Sequence, residues 1–241
     1  MNQVVLSMPQ NSPEITAKES DKSKTPRSIL SGIFAFAPNR DTLGATAYLI
    51  VDKTHNVLID CPLWHDEHRN FIVAQGGVQQ LIITHRGSIG KQVKQLQADL
   101  DCEVIMQEQE SYLLPEVQVT SFRDNLTLNS ELEVIWTPGH SPGSSCVYLP
   151  QQGGILFTGR HLLPKSITEI APLQTAKTFH WWRQLNSVAK IRDRFSLENL
   201  QYIIPGANTG YLRGQGYIDN AYSKLQALDL AELKTTAKIL N

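Results

Sequence analysis

Leu81-Ile82-Ile83-Thr84-His85-Arg86-Gly87-Ser88-Ile89-Gly90-Lys91 is an apolar, β-branched run that gives way abruptly to glycines, hydroxyls and charge. The apolar part reads as a buried strand, and the polar part as a loop opening a helix over residues 91–100. A helix start directly after a strand leaves free backbone amides and the positive end of the helix dipole facing outward. Arg86, Lys91 and the loop amides are therefore candidate contacts for a small anion. The spacing differs from that of a nucleotide phosphate loop, which needs four residues between its first glycine and Gly-Lys, followed by Ser or Thr. This loop has Gln92 at that point, which argues against nucleoside triphosphate hydrolysis.

Working outward, residues 46–51 and 56–60 read as two strands joined by the polar turn Asp52-Lys53-Thr54-His55. A short helix over residues 65–74 ends at Gly76-Gly77. Further strands are expected at 103–106, at 145–149, at 154–158 and among the alternating residues of 117–136. Residues 179–195 carry apolar side chains at helical spacing, and a last helix is expected over 217–233. This order of strand pairs and surface helices suits an α+β fold, an αββα sandwich in which loops along one edge of two packed sheets form the site.

Five stretches carry a more specific signal. The Leu81 run ends in Thr84-His85; Leu58-Ile59-Asp60-Cys61-Pro62 closes an earlier strand; Trp136-Thr137-Pro138-Gly139-His140-Ser141-Pro142-Gly143-Ser144 forms a histidine loop; then come Phe157-Thr158-Gly159-Arg160 and Ile204-Pro205-Gly206-Ala207-Asn208. In this order, across roughly residues 30 to 215, they resemble the motifs of the metallo-β-lactamase-fold superfamily, in its glyoxalase II-like branch. The family counterparts are Thr-His-x-His-x-Asp-His, Leu-Ile-Asp-Thr-Gly, the nearly identical histidine loop, Phe-Thr-Gly-Asp and Pro-Gly-His-Gly.

The resemblance implies a pocket that holds two zinc ions, yet most ligand positions are altered. His85 and His140 remain, whereas Gly87, Ile89, Gly90, Arg160 and Ala207 stand at positions where the family has ligands. A water-activating zinc needs about three protein ligands and an open position, so a dinuclear centre is not expected. Arginine at 160 inverts the charge where an aspartate would bridge two cations, and its planar donors suit a carboxylate or phosphate. The expected ligand-binding set is Arg160, Arg86, Lys91, Asp60, His161 and Asn208. Asp60 is equally able to pair internally with Arg160. His85 and His140 are the candidate catalytic pair and the candidate weak metal ligands. His161 as a third ligand is disfavoured, because neighbours on an extended strand face opposite ways.

The chain has 241 residues, 41% of them hydrophobic, enough for a substantial core; a single domain over residues 28–241 after a disordered tail over 1–27 is expected. A formal net charge of −1 offers no field for a long nucleic acid. Three widely spaced cysteines suggest a reducing, cytoplasmic setting, and no stretch approaches the ~18 apolar residues of a membrane span. His65 and His68 read as a solvated helix start, Cys61 as an inert thiol or a nucleophile, and the Trp181-Trp182 pair as supplying one ring to the pocket. Arg213, after Tyr211, reads as a surface residue or as positive charge at the rim. The leading expectation is a metallo-β-lactamase-fold protein without dinuclear zinc chemistry, its pocket serving a small anionic molecule or a protein partner and needing no cofactor. The alternative is a hydrolase of an ester, thioester or phosphoester using a single zinc or iron, or no metal.

Overall fold

The computed structural model describes residues 25–128 and 132–236. Seven strands form the first sheet in chain order: β1 (Arg27–Leu30), β2 (Ile33–Ala35), β3 (Tyr48–Ile50), β4 (Val57–Ile59), β5 (Gln80–Ile83), β6 (Glu103–Gln107) and β7 (Val119–Phe122). Pairing is antiparallel as far as β4 and parallel from β4 to β7. The second sheet uses β8 (Asn125–Leu128), β9 (Leu132–Trp136), β10 (Ser145–Leu149) and β11 (Ile155–Gly159). A two-stranded ribbon of β12 (Leu163–Pro164) and β13 (Ile170–Ala171) comes next, and β14 (Tyr202–Pro205) then returns to lie parallel beside β11. The helices are α1 (Asp66–Ala74), α2 (Val93–Leu100), α3 (Glu108–Ser111), α4 (Trp181–Arg194), α5 (Ala221–Gln226) and α6 (Leu230–Thr235).

Strand β5 shows why its sequence is apolar throughout. Ile82 points into the space between the sheets, where it meets a cluster that includes Ile59, Ile105, Val134, Val147 and Phe157. Leu81 and Ile83 face the other way, among Ile72 of α1 and Val93 and Leu96 of α2. With both faces covered, strict alternation of apolar and polar residues disappears. On the far side of the second sheet, Ile135, Cys146, Leu156 and Ile203 pack on Val188 and Ile191 of α4 and on Leu225 of α5. The layers are thus helices, sheet, sheet, helices, and the expected αββα sandwich is what the chain forms.

Among the boundaries that differ from expectation, three have a local cause. Arg27 belongs to β1 rather than to the tail, most of which lies outside the described residues. The helix after β5 starts at Val93, because residues 86–88 first make a single tight turn. The last helix splits in two, because Asp229 accepts from the amides of Ala231 and Glu232 and so caps a new start. No described helix is long and apolar enough to cross a membrane.

Candidate functional site

The ends of β4, β5, β9 and β11 bring the motif residues together. Asp60 leaves β4 with a left-handed backbone (φ 62°), which turns its carboxylate under the end of β5. There it accepts from the Thr84 amide at 2.8 Å and from Thr84 Oγ1 at 2.9 and 3.0 Å. Burial raises its pKa from 3.8 to about 6, against the pull of the Thr84 and Ser88 donors and the charge of Arg160.

His85 stands next in this chain of contacts. Its Nδ1 is 3.0 Å from both Thr84 Oγ1 and Ser88 Oγ. The Thr84 hydroxyl gives its one proton to Asp60, so toward Thr84 Oγ1 it is Nδ1 that carries the hydrogen. Nε2 is then a bare lone pair, and it is buried without a partner. Burial first, then His140, Arg160 and Arg86, hold the imidazole well below its usual pKa, so it is neutral at pH 7. The His140 ring lies 5.1 Å away, edge to face, and its pKa falls to about 4 through burial and the same two arginines.

His161 is not on the strand at all. Its amide bonds back to the Thr158 carbonyl, placing it in the turn after β11, so the alternation that disfavoured it does not apply. Its ring is buried beside His140 with both nitrogens unpartnered, and burial lowers its pKa to about 3. Even so, no three His, Cys, Asp or Glu side chains come together to hold a metal among the described residues. The donors near the cavity, histidine rings beside a guanidinium, do not fit the dinuclear centre that the sequence resemblance implies.

Arg160 reaches across to the loop after β2, donating to the carbonyls of Thr42 at 3.3 Å and Leu43 at 2.7 Å. Among the described residues it makes no ion pair with Asp60, and its Nε is buried and unpartnered. The guanidinium lines a cavity of about 400 Å³ together with Arg86, Gly87, His140 and the segment from Leu173 to Phe179. Leu43, Leu163, Leu173 and Phe179 supply apolar walls, Arg86, Arg160 and Lys177 supply positive charge, and no carboxylate among the described residues lines it. Gly87 lines the cavity too, and a Cβ there would come within 2.9 Å of His85 Nε2, so that nitrogen sits just under the cavity wall.

The remaining expectations divide. Arg86 is at the cavity but partly engaged: the buried Glu110 accepts from its amide at 2.8 Å and sits 3.8 Å from its Nε. Lys91 pairs with Asp41 at 2.8 Å and does not line the cavity. Asn208 and Arg213 line a different cavity, while Ala207 is buried. Trp181 is buried against α6, donating to the Leu233 carbonyl, and Phe179 supplies the ring at the cavity instead. His68 is buried rather than solvated, its Nδ1 2.7 Å from the Leu63 carbonyl. Glu110, Ser88 and Lys177 were missed from sequence: the first two act through Arg86 and His85, and Lys177 reaches the cavity only through the fold.

Cys61 is buried with its thiol pKa pushed up to about 12, which leaves it unreactive. Its role is steric: a Cβ at Gly90 would lie 2.8 Å from Cys61 Cβ. Gly90→Ala is therefore expected to cost about 1–3 kcal/mol through overpacking, and Cys61→Gly should recover part of that loss. Urea midpoints across the four-member cycle test this; strictly additive effects would show that the two positions do not share one space.

A sequence model described as the metallo-beta-lactamase superfamily matches residues 89–194. The fold is similar to that of VMB-1 at pH 5.5 (TM-score 0.65, 17% identity, 89% of this chain and 100% of that one). It is also similar to DIM-1 metallo-beta-lactamase exposed to ceftazidime (0.65, 19%, 89% and 100%). A metallo-beta-lactamase family protein from Thermus thermophilus aligns at 0.59 with 19% identity, over 86% of this chain and 81% of that one. No curated protein sequence gives a significant match.

Proposed function

We propose, from the premise that this chain has the metallo-β-lactamase fold, that its cavity binds a small organic anion in place of metal-dependent chemistry. The observation that carries this reading is Arg160, whose buried Nε has no partner and whose guanidinium lines a cavity without a described carboxylate. The apolar side chains opposite call for a hydrocarbon portion attached to the charged group, as in a medium-chain carboxylate. His140, neutral at pH 7, adds hydrogen-bonding capacity without adding charge. Three buried, unpaired cysteines support the expected cytoplasmic setting.

Titration calorimetry with hexanoate, hexanol and acetate tests the reading. Hexanoate should bind more tightly than either of the others, and Arg160→Ala should weaken it by about tenfold or more. Arg160→Lys keeps the charge but loses the planar fork, so it should fall between the two. Equal binding by the wild type and Arg160→Ala would remove Arg160 from the role.

The hydrolase reading retains one specific support, the bare His85 Nε2 beneath the cavity wall. Acting without metal, that nitrogen would accept a proton from water, though a weakly basic imidazole does so poorly. Stoichiometric zinc or iron in protein purified without chelators would favour the hydrolase and overturn the metal-independent reading.

A further inference from the structure

A second cavity, of about 570 Å³, opens beside the first, and its lining has a different chemistry. Leu163 belongs to the wall of the first cavity and Lys165 to that of the second, two residues along an extended segment. Their Cα atoms are thus separated by about 7 Å at most. The volume falls in the range of small-molecule sites.

Lys165 and Arg213 supply two positive charges, and no acidic residue among those described lines the cavity. Neither cation has an ion-pair partner among the described residues. Tyr211 and Ile167 stand 55% and 42% exposed, giving the same hollow an aromatic face and an apolar edge. The exposure of Tyr211 is held by its neighbour: Leu212 is fully buried and anchors the single turn Thr209–Leu212, so the ring beside it is kept outward. Asn208 and Arg213 bracket that turn with left-handed backbones (φ 57° and 46°), a conformation that costs free energy in residues with side chains.

We infer that this second cavity is a binding site for a phosphate monoester carried on a planar ring, with Lys165 and Arg213 on the phosphate and Tyr211 against the ring. Charge selects the class. A phosphate monoester carries about −1.5 to −2 at pH 7, which matches two unpaired cations better than a single carboxylate does. Arginine offers a planar fork to phosphate oxygens and lysine a point charge. The exposed phenol ring and Ile167 would cover a flat organic group that free phosphate lacks. The inference goes beyond the anion reading of the first cavity and uses none of its residues.

Calorimetry with phenyl phosphate, inorganic phosphate and phenol tests it on the full chain. Phenyl phosphate should bind at least about tenfold more tightly than either fragment. The double variant Lys165→Ala/Arg213→Ala should lose that binding, and Tyr211→Ala should bring phenyl phosphate down to the affinity of inorganic phosphate. All three positions are exposed, so the variants should fold, which their thermal midpoints check. Arg160→Ala should leave phenyl phosphate binding intact while weakening hexanoate, so failure of one reading is distinguishable from failure of the other. Undetectable binding of phenyl phosphate, binding no tighter than that of inorganic phosphate, or retention in the double variant would each overturn the proposal.

Discussion

At pH 5 the protein is expected to be about 3 kcal/mol less stable than at pH 7, and buried histidines at the site are the reason. His140 is held at about 4 and His161 at about 3, each by burial first, against an ordinary value of 6.5. Below pH 6.5 the unfolded chain takes up protons that the folded chain refuses, so stability is complete above that pH and drains away as the pH falls. By pH 5 each of these two groups should have lost about 2 kcal/mol. Burial depresses His85 as well, so it acts in the same direction.

Asp60 works against them. Its folded pKa of about 6 lies above the ordinary 3.8, so between those values the folded state binds the proton first. That contribution favours folding as pH falls, by about 1 kcal/mol at pH 5, too little to offset the histidines. Urea unfolding at pH 7, 6 and 5 measures the balance. His161→Leu removes two unpartnered buried nitrogens, so it should flatten the pH profile and raise stability at pH 7 by about 1–2 kcal/mol. A wild-type midpoint that stays constant or rises toward pH 5 would show that these rings are protonated or hydrogen-bonded in the folded protein.

The layered fold was legible because β5, the histidine loop and the strand ends around Asp60 are each decided locally. Apolar periodicity marks buried strands, and Pro-Gly spacing shapes the loops after them. The meeting of His85 and His140 was legible for the same reason, through two motifs at adjacent strand ends. The features that could not be read depend on contacts between distant segments. Lys91 looked free in sequence, but Asp41, fifty positions earlier, takes its charge. Arg160 is oriented by the carbonyls of Thr42 and Leu43, and a carbonyl leaves no trace in composition. The alternation argument against His161 does not hold, because it carried strand geometry two residues past the end of β11, into a turn.

Gly139→Ala is expected to be the most damaging single methyl addition at the site, at about 4 kcal/mol. Gly139 sits at φ +146°, and a Cβ there would fall deep inside contact distance of both Cα and N of Gln184. Those are backbone atoms of α4, which cannot rotate out of the way, and a side chain at that φ is strained in any case. The collision would part the loop from the helix where they are joined by His180 N to Gly139 O at 2.9 Å and by Ser187 Oγ to Pro138 O at 2.8 Å. Gln184 also donates to the His161 carbonyl, so the displacement reaches His140 and His161 together. Whatever fraction stays folded should therefore bind hexanoate less tightly than the wild type. Gly143→Ala is the control: its Cβ would meet Glu110 Cγ at 2.8 Å, a side-chain atom that can move, at a backbone φ outside the left-handed region. It should cost about 1–2 kcal/mol. If urea unfolding places the two variants at equal stability, or reverses their order, the close seating of the histidine loop on α4 is not what holds the site in place.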